Sequence, residues 1–387
     1  MSAPVLIAGG GIAGLALALA LAKIGRRSVV LEQRSSFGGT GAGIQLGPNG
    51  VRVLQRLGLA EALRPAVGVP DALAVHHGTT GRTLAVLPLG RWIAARHGAP
   101  YWVAHRGDLQ AVLAAAAAAE PRITLRAPFT LASLSASQAR VQAQSTAGDV
   151  VAGGALVGAD GLWSVTRHFI APGHVPHFVG TTAARTVIPV AQAGRLALPA
   201  VGLWLTRGAN VVHYPVRGGS EIAAVLIAAE TWAGTEWEAA ADRASLLERL
   251  WTFHASLAEP LAKAPEWRKW ALHRLRPLPR WTQGRLALIG DAAHPMLPHL
   301  AQGGVLALED AVALADALAA NACEADAFLA FASHRRRRAA RIEAMSALNG
   351  RLYHLAPPLS WARNGMLRLL PGSWLMAGYD WLYGWRG

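Results

Sequence analysis

The chain has 387 residues, of which 52% are hydrophobic and 16% charged, so disordered and collagen-like chains are excluded. Its formal net charge is +14, but 34 of the 37 basic residues are arginine, which indicates a compositional bias and no nucleic-acid partner. The single cysteine, Cys323, excludes an internal disulfide and is typical of a reducing, cytoplasmic compartment.

The N-terminal residues predict a strand, a tight turn, a helix and a second strand. Residues 5–22 carry no charge, yet no basic residue precedes them and glycines interrupt them, which argues against a membrane span or signal peptide. A buried strand over 5–8, a turn over 9–14, a helix over 15–24 and a strand over 28–32 explain the run better. This order predicts a parallel sheet with right-handed crossovers.

The rest of the chain alternates between buried strands, helices and loops. In chain order we expect a glycine-rich loop over 38–50, a helix from 51, short strands over 83–100, a helix over 108–119, strands over 123–144 and a buried strand over 155–160. We then expect an antiparallel sheet over 178–229, a helix over 239–254, a strand over 286–289, a loop over 290–304, a helix from Val305 and a helical C-terminal segment interrupted at Pro357–Pro358.

Nucleotide-type segments at both ends and in the middle of the chain predict interleaved domains. We assign residues 1–70, 98–177 and 275–340 to a dinucleotide-binding domain, 71–97 and 178–274 to a β-rich domain, and 341–387 to a helical C-terminal segment.

The first motif has the spacing G-x-G-x-x-G, with glycines at 9, 11 and 14, between a strand and a helix. Gly9 allows the tight turn, Gly11 lets a pyrophosphate approach the backbone, and Gly14 lets the helix pack closely on the strand. Glu32 ends the second strand, where an acidic side chain reaches a ribose hydroxyl. Because its charge would repel a 2′-phosphate, the bound dinucleotide is expected to be FAD or NAD and not NADP.

Two further motifs follow buried strands. The Asp160–Gly161 pair stands where a strand turns into a helix, which by itself is equally typical of a simple strand end. The second is Gly290-Asp291, followed by Pro298 and by Gln302-Gly303-Gly304. Asp291 can accept a hydrogen bond from a sugar-alcohol hydroxyl, and the helix start after the loop directs a partial positive charge at whatever lies before it.

In this order, the three motifs resemble those of the class A, single-component FAD-dependent aromatic hydroxylases, in particular the salicylate and 3-hydroxybenzoate hydroxylase branch. Residues 41–49, 105–109, 212–216 and 379–385 match the same family. The resemblance implies the p-hydroxybenzoate hydroxylase fold: an α/β chain with a Rossmann-like FAD-binding domain, an interleaved β-rich substrate domain and a helical tail. No second G-x-G-x-x-G opens a helix, so NAD(P)H is expected to bind only transiently.

The resemblance also assigns roles to single positions. It implies that Glu32 binds the adenosine ribose, that Arg106 lies beside the ribityl-phosphate region, and that Asp291 binds the ribityl chain. The loop from Pro298 to Gly304 is expected to line the flavin ring. The full set expected to bind FAD is Gly9, Gly11, Ala13, Gly14, Glu32, Gln45, Arg106, Asp160, Asp291, Pro298, Gly303 and Gly304.

The chemistry that the resemblance implies is hydroxylation of a small phenolic or heteroaromatic, carboxylate-bearing substrate by a flavin C4a-hydroperoxide formed from NAD(P)H and O₂. A base that deprotonates the phenol would activate the ring, and His213 is the candidate. In a strand it faces away from Val212 and Tyr214. Tyr214, Pro295 and Gln302 are further candidates for substrate contact, whereas His294 more simply braces its loop.

Several features leave alternatives open. The basic run at 334–338 predicts a solvated helix face, or else a field that steers anionic NAD(P)H or substrate. The tryptophans of the tail (Trp374, Trp381 and Trp385) suit domain packing, a dimer contact or a membrane surface, in that order. We expect no metal site and no stable membrane insertion, and a homodimer is one assembly that the sequence permits.

Two other functions compete with aromatic-acid hydroxylation. One is a flavoprotein of another class, either a hydroxylase of natural-product or quinone-type substrates or an oxidoreductase that inserts no oxygen. The other is a flavin-binding protein without catalytic activity. The sequence identifies neither the substrate and its ring position nor the choice between NADH and NADPH.

Overall fold

A computed structural model of the chain describes residues 3–38, 43–232 and 238–387. In chain order its strands are β1 (Val5–Ala8), β2 (Ser28–Leu31), β3 (Gly43–Leu46), β4 (Val67–Gly68), β5 (Ala72–His77), β6 (Thr83–Pro88), β7 (Trp102–His105), β8 (Ile123–Arg126), β9 (Leu131–Ala136), β10 (Val141–Ser145), β11 (Val150–Gly153), β12 (Ala155–Gly158), β13 (His177–Pro189), β14 (Ala200–Thr206), β15 (Ala209–Val216), β16 (Glu221–Ala229), β17 (Glu238–Ala240), β18 (Arg268–Arg274), β19 (Thr282–Gln283) and β20 (Leu286–Leu288).

Its α-helices are α1 (Ile12–Lys23), α2 (Pro48–Leu57), α3 (Ala60–Leu63), α4 (Gly90–His97), α5 (Arg106–Ala119), α6 (Val165–Ile170), α7 (Arg243–Leu250), α8 (Ala255–Ala262), α9 (Gly303–Ala320), α10 (Glu324–Tyr353), α11 (Leu359–Leu369), α12 (Gly372–Ala377) and α13 (Asp380–Tyr383). Among the described residues, no helix combines the length and apolar character that crossing a membrane requires.

The predicted parallel sheet is present, with the order β19-β20-β12-β1-β2-β8. The pairings of β20 with β12, β12 with β1, β1 with β2 and β2 with β8 are all parallel, and only β19 runs antiparallel. All four residues of β1 are buried, as expected for a strand covered on both faces. Helix α1 packs against α5 and α9, so the core of this layer is continuous.

A second, eight-stranded sheet has the order β17-β18-β13-β16-β15-β14-β5-β6. Its pairings are antiparallel except that of β14 with β5, which is parallel. On one face it packs against α7 and α8 through a separate apolar cluster. Its strands come from 72–88 and 177–274, whereas the exact domain boundaries stay predictions.

Local differences from the predicted elements have identifiable causes. The expected strands over 83–100 are one strand, β6, followed by α4, which ends at Gly98 in the left-handed conformation that favours glycine. The expected helix over 239–254 begins only after β17, because the carboxylate of Asp242 caps α7 by accepting from the amide of Ser245 at 2.9 Å. Of the predicted loop over 38–50, residues 39–42 lie outside the described residues, and the remainder contains β3 and the start of α2.

Candidate active site

A cleft of about 290 Å³ opens where β1 and β12 of the parallel sheet end. Residues that directly follow these strands line it, as is usual for ligand sites of open α/β sheets. They are joined by the loop after β20, by the start of α5 and by the second sheet. The lining includes Gly11, Ile12, Ala13, Gly43, Gln45, Arg106, Ala159, Gly161, Arg185, Val212, Tyr214, Asp291, Pro298, Ala301, Gly303 and Gly304.

The three glycines of the first motif meet three different surroundings. A side chain at Gly9, whose φ is +104°, would collide with the carbonyl oxygen of Ala159, and one at Gly14 would collide with that of Gly9. A Cβ atom at Gly11 would meet nothing within 4 Å. The first and last glycines therefore serve close packing, and Gly11 leaves open cleft beside the N-terminus of α1, where phosphate groups bind well.

The carboxylate of Glu32 is fixed next to this turn. It accepts hydrogen bonds from the amides of Gly10 at 2.8 Å and Arg34 at 2.9 Å, and the residue is only 8% exposed. A carboxylate has about four acceptor positions, so capacity remains for ribose hydroxyls. Its placement fits the role that the sequence predicts.

Asp160 lies beside the cleft but does not line it. Its carboxylate accepts from the hydroxyl of Ser164 at 2.5 Å, and from the amide and hydroxyl of Thr166 at 2.9 and 3.0 Å. Burial raises the pKa of Asp160, while these hydrogen bonds oppose that rise. Asp160 therefore fixes the turn into α6, and its neighbours Ala159 and Gly161 form the cleft wall.

The Gly290–Asp291 turn supplies the opposite side of the cleft. Gly290 has a φ of +58°, and its amide donates to the buried carboxylate of Asp310 at 3.0 Å. This turn leaves Asp291 exposed to the cleft. The loop then passes Pro298 and enters α9 at Gly303, so the N-terminus of that helix faces the cleft.

A buried charge network supports this loop from behind. Asp310 contacts the imidazole of His294 at 2.5 Å and accepts from Arg335 at 2.7 Å, while Glu309 accepts from Arg335 and Arg338. Burial alone would raise the pKa of Asp310, but His294 and Arg335 outweigh it and lower that pKa to about 2. His294 thus braces the loop, as predicted.

The sequence predicts that the basic run at 334–338 is a solvated helix face, and this prediction is wrong for two of its arginines. Arg335 is 3% exposed and part of the charge network, and Arg338 also donates to the carbonyl oxygens of Trp381 and Leu382. Arg335 and Arg338 also lie over the ring of Trp385 at 5.2 and 5.5 Å. This end of the tail therefore packs onto the core.

A second cavity, of about 220 Å³, adjoins the cleft and shares Gln45, Val212, Ile227, Pro298 and Ala301 with it. We call it the substrate cavity. Strands β5, β14 and β15 form one wall, α10 forms another, and Leu367, Leu375 and Met376 of α11 and α12 also line it. Its aromatic lining consists of Tyr101, His299, Tyr353, Tyr379 and Tyr383.

Neutral hydrogen-bonding groups line this cavity. The hydroxyl of Tyr101 donates to Gln45 Oε1 at 2.6 Å, and Asn210 Oδ1 contacts His354 Nε2 at 2.9 Å. His299 Nδ1 and Asn210 Nδ2 are buried without a hydrogen-bond partner among the described residues. Burial, and then the neighbouring His354, lower the pKa of His299 to about 4. None of the described lining residues is arginine or lysine.

The structure does not bring His213 to this site. As predicted, it faces away from Val212 and Tyr214, but these two face the cleft and His213 faces the layer of α7 and α8. Its imidazole packs near Trp204 and against Gly202. Burial, and then His76, lower the pKa of His213 to about 3, so it is neutral at pH 7.

The other predicted substrate contacts also differ in whether they reach the cleft. Tyr214 lies over Gly43 in the cleft, and burial raises its pKa. Pro295 instead lines a separate cavity of about 530 Å³ behind the loop, together with Trp281 and His294. Gln302 is 1% exposed and accepts from Asn49 at 3.0 Å, so it serves the buried network and does not contact either the cleft or the substrate cavity.

Arg185 is a cleft residue that the motifs do not reveal. It stacks on Trp270 at 4.8 Å, lines the cleft with Arg106 and Tyr214, and its Nε has no hydrogen-bond partner among the described residues. Burial, and then the charge of Arg106, lower its pKa. The sequence gives only a weak indication that Arg185 lines a ligand site. The alternation along its strand shows which residues share a face of the sheet, but not which face contacts a ligand.

Comparisons with known proteins agree with this geometry. The family model described as FAD binding domain matches residues 2–346. A 3-hydroxybenzoate 6-hydroxylase from Aquipseudomonas alcaligenes is 34% identical over 98% of this chain and 97% of its own length. A 6-hydroxynicotinate 3-monooxygenase from Bordetella bronchiseptica is 31% identical over 88% of this chain and 89% of its own.

A solved salicylate hydroxylase in complex with its substrate superposes with a TM-score of 0.82 at 26% identity, covering 100% of this chain and 96% of that one. Together with the glycine turn, the Glu32 carboxylate and the Gly290–Asp291 loop, these matches confirm the fold and the bound FAD that the motifs predict. The chain belongs to the FAD binding domain family and is an FAD-dependent monooxygenase of the class A aromatic hydroxylase type.

Proposed function

We propose that this enzyme uses NAD(P)H and O₂ to hydroxylate a single-ring phenolic or heteroaromatic compound in the cytoplasm. The observation that carries the proposal is the substrate cavity, which directly adjoins the cleft and measures about 220 Å³. A cavity of about 150 Å³ accommodates benzene, so one ring with small substituents fits this space. The hydroxybenzoate, hydroxynicotinate and salicylate substrates named for the similar proteins are of this size class.

Several residues would hold the cofactor. The amides around Gly11 would receive its phosphates, Glu32 its ribose, and Asp291 its ribityl hydroxyls, while Gly303 and Gly304, at the N-terminus of α9, would hold its ring. Bound FAD supplies the redox chemistry, accepting hydride and activating O₂. The partial positive charge at the N-terminus of α9 stabilises negative charge on the ring.

His299 is the base that this geometry favours, in place of His213. It lies in the loop between the cleft and the substrate cavity. Its Nδ1 has no hydrogen-bond partner in the part of the chain that the structure describes, and its lowered pKa keeps the imidazole neutral at pH 7. A neutral, buried imidazole can accept a hydrogen bond from the hydroxyl of a phenol placed beside it, which polarises that hydroxyl toward the phenolate. His354, which contacts both Asn210 and the ring of His299, would orient it.

Arg185 would receive an anionic substituent of the substrate. The substrate cavity has no cation among its described lining residues, whereas Arg185 stands in the adjoining cleft beside Tyr214, and its Nε has no hydrogen-bond partner among the described residues. A partly desolvated guanidinium binds a carboxylate with charge-assisted hydrogen bonds. The carboxylate expected on the substrate would therefore point toward the wall that the substrate cavity shares with the cleft.

Substrate-stimulated NADH oxidation tests the proposal. Purified holoenzyme is mixed with 3-hydroxybenzoate, salicylate or 6-hydroxynicotinate, and NADH consumption and product mass are followed. We expect stimulated consumption and a product heavier by one oxygen with at least one single-ring compound. Stimulation without a mass gain would favour an oxidoreductase that inserts no oxygen. Activity confined to larger, multi-ring compounds would favour the natural-product alternative.

A homodimer stays a prediction. Light scattering on the eluting holoenzyme measures the mass directly against the 40.7 kDa of one chain.

A further inference from the structure

Two helices of the tail expose apolar side chains. Of sixteen large hydrophobic residues exposed in the described chain, six lie between 359 and 374, and three of them are 85%, 71% and 68% exposed. Such clustering is unusual for a surface in contact only with water. We call these residues the α11–α12 face: Leu359, Trp361, Met366, Leu369, Leu370 and Trp374.

The polarity of α11 is inverted relative to an ordinary surface helix. Its inward residues include Ser360 and Arg363, which are each 9% exposed, and Arg363 donates to the carbonyl oxygens of Leu352 and Tyr353. Its outward residues are mostly apolar. Because a helix that faces water carries its polar residues outside, the α11–α12 face is suited to an apolar or interfacial partner.

Charge distinguishes the partners that this face could accept. No acidic residue occurs between 344 and 379, while Arg351 and Arg368 are exposed there. The flanking acids are already paired, Glu343 with Arg274 and Asp380 with Arg96. A second copy of this chain would bring cation against cation, whereas an anionic lipid surface complements the arginines.

The same helices connect the face to the active site. Leu367 of α11 and Leu375 and Met376 of α12 line the substrate cavity, so the two helices separate it from the exposed face. Helix α12 is held against β6, where Val86 is 54% exposed and extends the apolar surface. Tryptophan side chains, as at 361 and 374, favour the interface between water and lipid.

We propose that the α11–α12 face docks on an anionic lipid bilayer, with the helices lying in the interfacial plane. Leu369, Trp361 and Trp374 would enter the acyl boundary, and Arg351 and Arg368 would contact the headgroups. The enzyme is then a peripheral protein whose substrate cavity lies directly behind its membrane-contacting helices. Docking itself needs neither NADH nor substrate, so it is measured independently of hydroxylation.

Vesicle flotation with the holoenzyme tests the proposal. Vesicles of phosphatidylcholine alone are compared with vesicles that also contain phosphatidylserine, at low and at high salt. We expect binding to the anionic vesicles that salt weakens. The double substitution Trp361→Gln and Trp374→Gln is expected to reduce binding about tenfold or more, because two large apolar side chains no longer leave water.

The matched control is Trp251→Gln, a tryptophan of similar exposure that lies elsewhere on the surface. It should bind vesicles like the wild type, and both variants should retain wild-type NADH oxidation. Absence of binding to anionic vesicles at low salt would overturn the proposal, as would equal binding by the double variant. A dimer in light scattering that the double variant dissociates would assign the face to a second copy instead.

Discussion

The cleft and the substrate cavity adjoin each other, yet they are built in different ways. The cleft is formed largely by backbone at strand ends and helix starts, with glycines at 11, 43, 161, 303 and 304 among its lining residues. The substrate cavity is formed largely by side chains from the eight-stranded sheet, from the loop after β20 and from the helices of the tail. A backbone-built site depends on local sequence, whereas a side-chain-built site depends on packing between distant segments, so the two should respond differently to substitution.

The glycine turn should give the largest effect. In Gly14→Val the new side chain meets the carbonyl oxygen of Gly9, which cannot move without breaking the turn, so we expect loss of the folded protein. In Gly11→Val it points into open cleft, so the apoprotein should fold while FAD affinity falls about 100-fold or more. Circular dichroism and flavin fluorescence separate the two outcomes, and equal behaviour of the variants would contradict this division of roles.

The buried network behind the loop should give the next largest effect on stability. Arg335→Met removes the arginine that is paired with both Asp310 and Glu309 in a buried site, which costs about 3–5 kcal/mol of the free energy of unfolding. Arg337→Met changes an exposed neighbour and should cost less than about 0.5 kcal/mol. Urea unfolding measures both, and similar losses in the two variants would show that the network adds nothing specific.

The two histidines test which face of the sheet carries the chemistry. His299→Gln should retain FAD and NADH oxidation but lower the rate of hydroxylation about 100-fold or more, with hydrogen peroxide formed instead of product. His213→Gln, on the opposite face, should keep near-normal hydroxylation. Product analysis at several pH values distinguishes the two histidines. Loss of hydroxylation in His213→Gln alone would restore His213 as the candidate base.

Arg185 tests how an anionic substituent is held. Arg185→Gln should raise the KM for a carboxylate-bearing substrate about tenfold or more while changing the KM for its neutral amide much less. Steady-state kinetics with the acid and the amide give the comparison. An equal rise in both KM values would assign Arg185 to packing on Trp270 alone.

The last effect is spread over several pH units and concerns stability in acid. His213 binds a proton below about pH 6.5 when unfolded, but folded it does so only near pH 3, so the unfolded state holds more protons between these values. Stability therefore declines as the pH falls through this range, by up to about 1.4 kcal/mol per pH unit for this group. His213→Gln should make the decline shallower in urea unfolding at neutral and mildly acidic pH, and an unchanged slope would contradict the buried, neutral imidazole.

What the sequence predicts well is confined to local patterns. The turn at 9–14, the Glu32 carboxylate and the Gly290–Asp291 loop each combine a short motif with the strand before it. The structure places the turn and the loop at one cleft, and Glu32 beside the turn, where it accepts from the amide of Gly10. The helical tail is likewise present in the structure, because its composition favours helix over many residues.

The parts that sequence reasoning missed depend on tertiary packing. Strand alternation correctly separates His213 from Tyr214, but nothing local says which of the two faces a ligand. The positions of Arg185 at the cleft and His299 at the substrate cavity, and the burial of Arg335 in a run of four arginines, follow from which distant elements pack against them. Glutamine at 302 is buried against Asn49 for the same reason.

The most direct test of the central account is a turnover under dioxygen labelled with oxygen-18, with NADH and the single-ring compound that most stimulates its oxidation. Mass spectrometry of the product then reports the origin of the new hydroxyl oxygen. The account predicts one oxygen-18 atom in each product molecule, and none when only the water is labelled. Consumption of NADH and O₂ that yields hydrogen peroxide alone, with every single-ring compound unchanged, would contradict it.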